Sequence, residues 1–169
     1  VNVLIAGIGN IFQGDDAFGV EVAQRLAQRP LPEGTRAVDF GIRGYDLAYA
    51  LMEERDCTIL VDAVPRGGAP GTLYVIEPDL SALDEPSDAI DTTSVVSAHA
   101  MNPLNVFRMV KAMGGSWSRV LLLGCEPADL GSEEEGKMGL SDAVASAVDE
   151  AVVLAESLLQ QLASGKEIG

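Results

Sequence analysis

The sequence predicts an α/β fold, a single domain over residues 1–169 with a mainly parallel twisted sheet of about five strands and helices on both faces. Short β-type apolar runs alternate with longer amphipathic stretches, the pattern that parallel crossover units leave in a chain. Hydrophobic residues make up 47% and charged residues 22%, a globular balance far from that of disordered chains. A length of 169 residues suits one domain able to bury a core without disulfides or structural metal.

The first strand, residues 3–8, reads Val-Leu-Ile-Ala-Gly-Ile and follows Val1-Asn2 directly. No basic n-region precedes it and no small-residue cleavage site follows, so no secretory signal is expected. No apolar run approaches the roughly 18 residues of a membrane helix, and the expected location is cytoplasmic. Further strands are predicted at residues 37–40, 58–64, 73–76 and 120–123.

Between the strands at 58–64 and 73–76 lies a turn-rich segment with Pro65, Gly67, Gly68, Pro70 and Gly71, which predicts a hairpin-like antiparallel edge. Residues 77–91 carry acidic side chains and no basic one, and are read as a solvated surface excursion. Asn102-Pro103 announces a helix, with a capping residue, proline at the first helical position, and then Leu104, Phe107, Val110 and Met113 at helical spacing. The final helix, about residues 142–163, places Val144, Val148, Ala151, Val152, Ala155, Leu158, Leu159 and Leu162 on one stripe, with Ser141 as N-cap.

Cys57 and Cys125 each lie in or beside an apolar run, and neither belongs to a C-x-x-C pair, so both are expected to be buried and reduced. A net charge of −15 repels nucleic-acid backbones and anionic membrane surfaces, which argues against both as partners.

The loop after the first strand meets and fails two nucleotide-binding patterns. Gly7-Ile8-Gly9-Asn10-Ile11-Phe12 stands where a dinucleotide fingerprint would, but its third glycine position holds Phe12, expected to obstruct close helix-to-strand packing. Gly9 to Gly14 has the glycine spacing of a phosphate loop, yet Asp15 and Asp16 follow in place of Lys and Ser or Thr. Two carboxylates repel a triphosphate and suit a cation.

Asp16, Gly41 to Gly44, Asp62 and Glu126 all map to the carboxyl ends of predicted strands, the rim where open α/β sheets gather their ligands. His99, the single histidine, precedes the helix that Asn102 caps. Taken alone, Asp15 or Asp16 also reads as a helix cap, Asp62 as a turn residue and His99 as a hydrogen-bonded structural residue. Taken together, Asp16, Asp62 and His99 offer the oxygen and imidazole donors that a borderline divalent cation such as Ni²⁺ or Zn²⁺ accepts, with a coordination position left open.

The segments Ile5-Ala6-Gly7-Ile8-Gly9-Asn10, Gly14-Asp15-Asp16-Ala17-Phe18-Gly19, Val61-Asp62-Ala63, Ser97-Ala98-His99, Gly124-Cys125-Glu126-Pro127 and Gly139-Leu140-Ser141 resemble, in order and spacing, the hydrogenase maturation endopeptidases. The resemblance implies an endopeptidase that removes the C-terminal extension of a nickel-iron hydrogenase large-subunit precursor after nickel insertion. It implies metal contact at Asp16, Asp62 and His99, with the nickel carried by the substrate and zinc or cadmium able to occupy the same ligands in vitro. Gly41, Arg43, Gly44 and Glu126 are the expected substrate-binding residues, and Glu126 and Asp15 are candidate bases. Asp16 stands where the family can carry Glu, one methylene longer. The loop 39–44 replaces a more glycine- and threonine-rich version found in some relatives. Rival readings are a non-catalytic nickel-binding maturation chaperone, using the same ligands without cleavage, and a Rossmann-like small-molecule binder.

Overall fold

Successive residues of a strand face opposite sides, and in β1 (Val3–Ile8) this alternation divides the core into two layers. Val3 and Ile5 join one cluster with Cys57, Ile59, Val61, Leu121 and Leu123; Leu4, Ala6 and Ile8 join another with Phe40 and Leu60. Both faces of the sheet are therefore covered, as a parallel sheet requires.

The computed structural model describes residues 1–84, 102–132 and 134–168. After β1, a 3-10 turn (Gly14–Ala17) runs into α1 (Phe18–Ala27), followed by β2 (Thr35–Gly41), α2 (Gly44–Met52), β3 (Cys57–Ala63) and β4 (Leu73–Ile76). A second 3-10 turn (Ser81–Asp84), α3 (Pro103–Ala112), β5 (Arg119–Cys125) and α4 (Asp142–Ser164) complete the described elements. Helices α1 and α4 cover the Val3–Ile5 face through Phe18, Val22, Leu26, Val144, Val148 and Leu158. Helices α2 and α3 cover the other through Leu47, Leu51, Val106, Phe107 and Val110.

The five strands lie in the order β2-β1-β3-β5-β4. All pairs are parallel except β4 with β5. The expected α/β sheet with helices on both faces is thus the observed one. Several strands run longer than predicted, β2 from Thr35 and β5 from Arg119 to Cys125, because ladder hydrogen bonds use backbone groups whatever the side chain.

The antiparallel edge is real, but the hairpin is not. β4 pairs with β5, Leu73 opposite Cys125 and Ile76 opposite Leu122, and β5 lies between it and β3. The turn-rich segment therefore steps across a strand position instead of reversing beside β3. The excursion from residue 77 is also less solvated than its charge implies: Leu80 and Leu83 pack against the α2–α3 side of the core. Residues 85–91 of that segment lie outside the described residues.

Both helix predictions hold. The Asn102 side chain accepts from the Leu104 N–H at 3.0 Å, capping α3 with Pro103 as its first residue. Ser141 caps α4, its hydroxyl accepting from Val144 N–H, and left-handed Gly165 closes it at φ 70°. Val144, Val148, Ala151, Val152, Ala155, Leu158 and Leu159 of the predicted stripe are buried, and Leu162 packs partly buried against them. Cys57 and Cys125 are buried free thiols. Among the described residues no helix is long and apolar enough to cross a membrane.

Candidate active site

Because β1, β2, β3 and β5 are parallel, their carboxyl ends open on one edge, and the loops leaving Ile8, Gly41, Ala63 and Cys125 share that rim. The strand order reverses between β1 and β3, a switch point where open α/β sheets place their ligands.

Close backbone packing builds this rim. A β-carbon on Gly7 would stand 2.2 Å from the Gly19 carbonyl oxygen, so α1 can lie directly on β1. Gly9, at φ +145°, would carry a β-carbon 1.8 Å from the Asp16 carbonyl oxygen, and its N–H donates to the Gly41 carbonyl at 3.0 Å. Phe12, expected to obstruct helix-to-strand packing, is 60% exposed and takes no part in it; Gly7 and Gly19 provide the close approach instead.

Asp16 sits in the 3-10 turn before α1, half-buried, with its Oδ2 accepting from the Asn10 N–H at 2.7 Å. Burial raises its carboxyl above the ordinary value, against the lowering effect of the Asn10 bond. Asp62 is the penultimate residue of β3, its Oδ1 accepting from Ala63 N–H at 2.9 Å. Burial pushes its carboxyl well above the usual range, and the neighbouring Asp16 charge pushes it in the same direction. Opposite it on β5 lies Gly124, which brings no side chain to that register position.

These carboxylates, distant in sequence, are thus brought near enough at the switch point for the Asp16 charge to act on Asp62. An oxygen pair held this way fits a divalent cation, which relieves both the desolvation and the repulsion. His99 lies outside the described residues. Among the described residues no group of three His, Cys, Asp or Glu side chains is placed to hold a metal ion.

Asp15, a candidate base in the sequence, has a different task. It is fully buried, and its carboxylate accepts from Ala128 N–H (2.8 Å), Asp129 N–H (2.9 Å), Ser141 N–H (2.7 Å) and the Ser141 hydroxyl (2.9 Å). Burial alone would raise its pKa, but these bonds together hold it below the ordinary value. A carboxylate so occupied is a poor proton acceptor. The sequence carries no signal for this, because most of its partners are backbone amides.

Glu126 is buried at 4% exposure, its Oε2 accepting from Arg66 N–H at 2.7 Å, and its own backbone pairs with Gly71 and Thr72. It ties down the loop between β3 and β4. Gly41 ends β2 at φ +54°, Arg43 is the N-cap position of α2, and Gly44 is its first residue. The Arg43 guanidinium donates to the Phe40 carbonyl at 3.2 Å, to the Asp39 carbonyl and to Asp46 at 3.3 Å. The loop 41–44 therefore stands beside the Gly9 turn as a braced wall.

The HycI hydrogenase maturation protease family model matches residues 20–158. The hydrogenase expression/formation protein HupD of Rhodobacter capsulatus is 35% identical over 98% of this chain and 74% of its own length. The hydrogenase 2 maturation protease of Escherichia coli K12 is 30% identical, covering 100% of this chain and 93% of its own. The solved structure of the E. coli hydrogenase maturating endopeptidase HybD superposes with a TM-score of 0.71 at 26% identity, covering 95% of this chain and 93% of that one.

Proposed function

The chain belongs to the hydrogenase maturation protease family, and on that premise we propose that it is the metal-dependent endopeptidase that removes the C-terminal extension of a nickel-iron hydrogenase large-subunit precursor after nickel insertion, acting in the cytoplasm as a single domain. The observation that carries this reading is the meeting of Asp16 and Asp62 at the β1/β3 switch point, where the Asp16 charge adds to burial in disfavouring the charge of Asp62.

Nickel belongs to the substrate in this scheme. Asp16 and Asp62 present carboxylate oxygens to it and His99 an imidazole nitrogen, a donor set that nickel accepts and that zinc or cadmium can take in its place in vitro. Bound metal supplies Lewis acidity toward the scissile carbonyl or an attacking water. The residues of this chain position: with the precursor's metal gripped at the rim, its adjacent C-terminal segment is held beside the loop 41–44, where Gly41, Arg43 and Gly44 form the wall. Glu126 contributes by fixing the loop 64–72 on the other side, through Arg66. Helix α3, whose first residue follows His99 by four positions, packs on the sheet face that also carries Leu60.

The test incubates the protein with nickel-loaded and nickel-free precursor and reads cleavage by the mobility shift on a gel. Cleavage of the nickel-loaded form alone is expected, with Asp16→Ala, Asp62→Ala and His99→Ala each inactive. Binding of the nickel-loaded precursor without cleavage would make the protein a maturation chaperone, and full activity of His99→Ala would remove histidine from the site.

A further inference from the structure

Asp16 occupies an electrostatically uphill position, and few of its own contacts hold it there: its carboxylate accepts from Asn10 N–H, and its backbone N–H donates to the Gln13 carbonyl at 3.1 Å. The residues just before it are fixed far more heavily. Gly14 N–H donates to the Lys137 carbonyl at 2.8 Å, Asp15 N–H to the Asp129 carbonyl at 2.8 Å, and Lys137 N–H to the Phe12 carbonyl at 2.7 Å. Lys137 also pairs with Asp129 through its ammonium group. The Asp15 carboxylate completes this lattice with its bonds to Ala128, Asp129 and Ser141.

We infer that Asp15 is a positioning residue: its buried carboxylate clamps the β5–α4 connection onto the loop that follows β1, and so fixes where Asp16 presents its oxygens to the substrate's metal. This rests on the functional reading above. Asp15 itself touches neither metal nor substrate.

The two adjacent aspartates divide the work because a tight 3-10 turn sends successive side chains in different directions, one toward the connection and the other toward Asn10 and Asp62. Without the Asp15 bonds, the part-buried amides of Ala128, Asp129 and Ser141 lose the acceptor that ties them to the β1 loop, and the connection has reason to leave. The turn is then free to rotate Asp16 away from Asp62, in the direction their repulsion already favours.

The experiment uses the full chain with Asp15→Asn, and with Ser141→Pro as a second variant. Ser141 lies at φ −63°, which proline adopts, so this change deletes the donated N–H and hydroxyl while leaving Asp15 in place. Three readouts are taken on folded protein: trypsin cleavage after Lys137, affinity for Ni²⁺ alone by calorimetry, and kcat/KM on nickel-loaded precursor. Lys137 is exposed but held through its backbone bonds to Phe12 and Gly14, so both variants are expected to speed trypsin cleavage after it, bind Ni²⁺ more weakly, and lose kcat/KM by up to about 100-fold, the scale of an ångström of misplacement. Asp16→Ala, by contrast, should be inactive with Lys137 still protected.

A variant released at Lys137 yet fully active, or inactive with Lys137 still protected, overturns the inference. So does a folded Ser141→Pro unchanged in all three readouts. Should Asp16→Ala cleave at the parental rate, the functional reading falls and this inference with it. Parental cleavage by Asp15→Asn beside an inactive Asp16→Ala overturns the positioning role alone.

Discussion

Gly19 of α1 lies against Val61 of β3 so closely that a β-carbon on Gly19 would stand 2.1 Å from the Val61 carbonyl oxygen. Val61 immediately precedes Asp62, and Gly19 follows Asp16 by three residues, so this contact sets the distance across which the two carboxylates face each other. The same β-carbon would stand 2.4 Å from the Ile8 carbonyl oxygen. Both obstacles are backbone atoms of the sheet, which cannot step aside as a flexible side chain can.

Gly19→Ala is therefore expected to cost at least about 1–3 kcal/mol, the range for overpacking a close-packed interior, because strand backbone must shift. Urea denaturation measures the loss as a lower midpoint with an unchanged slope. Precursor cleavage should fall even at temperatures where the variant is fully folded, since α1 can relieve the clash only by carrying Asp16 away from Asp62.

Asp62 makes the fold pH-dependent in an unusual sense for an aspartate. Its folded pKa lies well above the ordinary 3.8, from burial first and the Asp16 charge second. The folded state thus retains a proton that the unfolded chain has released, and stability falls as pH rises from the unfolded value through the folded one. Asp62→Asn removes this share. Urea midpoints recorded from acid to neutral pH should decline less in the variant than in the parent, while cleavage of nickel-loaded precursor is lost.

The cysteine thiols should be silent in the folded protein. Burial pushes Cys57 up to about 11, and burial with the Asp15 and Glu126 charges pushes Cys125 up to about 11. At mildly alkaline pH neither thiol is expected to react with a disulfide reagent until denaturant is added, when both react together. The raised folded values also mean that the thiols' contribution to stability is intact below their ordinary 9.0 and is lost as pH rises through about 11.

Asn102→Ala deletes the side chain that caps α3 and should lower stability by about 1 kcal/mol, seen as a reduced urea midpoint. Because this cap stands three positions after His99 in the sequence, cleavage is expected to drop more than the stability loss alone accounts for. Asn102→Ser, which retains an acceptor, should restore both.

The layered sheet was legible in the sequence because its signals are local. Period-two alternation in residues 3–8, helical spacing from Val144 to Leu159, and the caps Asn102 and Ser141 each act within a few residues of chain. The rim position of Asp16 and Asp62 was legible for the same reason, since strand ends can be read from where apolar runs stop. Pairing partners were not. Whether β4 joins β3 or β5 depends on which edge remains open after the sheet assembles, and the turn residues between Val64 and Leu73 serve either outcome.

What the sequence determined by itself, then, was an α/β chain with carboxylates at the carboxyl edge of a parallel sheet and an acidity unsuited to phosphate. What only the tertiary structure decided was the division of labour between Asp15 and Asp16. Neighbouring aspartates are chemically identical in a sequence, and their fates separate when one meets the amides of Ala128, Asp129 and Ser141 while the other meets Asp62. Four hydrogen bonds satisfy the first charge, while the second is buried with a single one and acts on Asp62, because a buried carboxylate is stabilised by whatever surrounds it and not by its position in the chain.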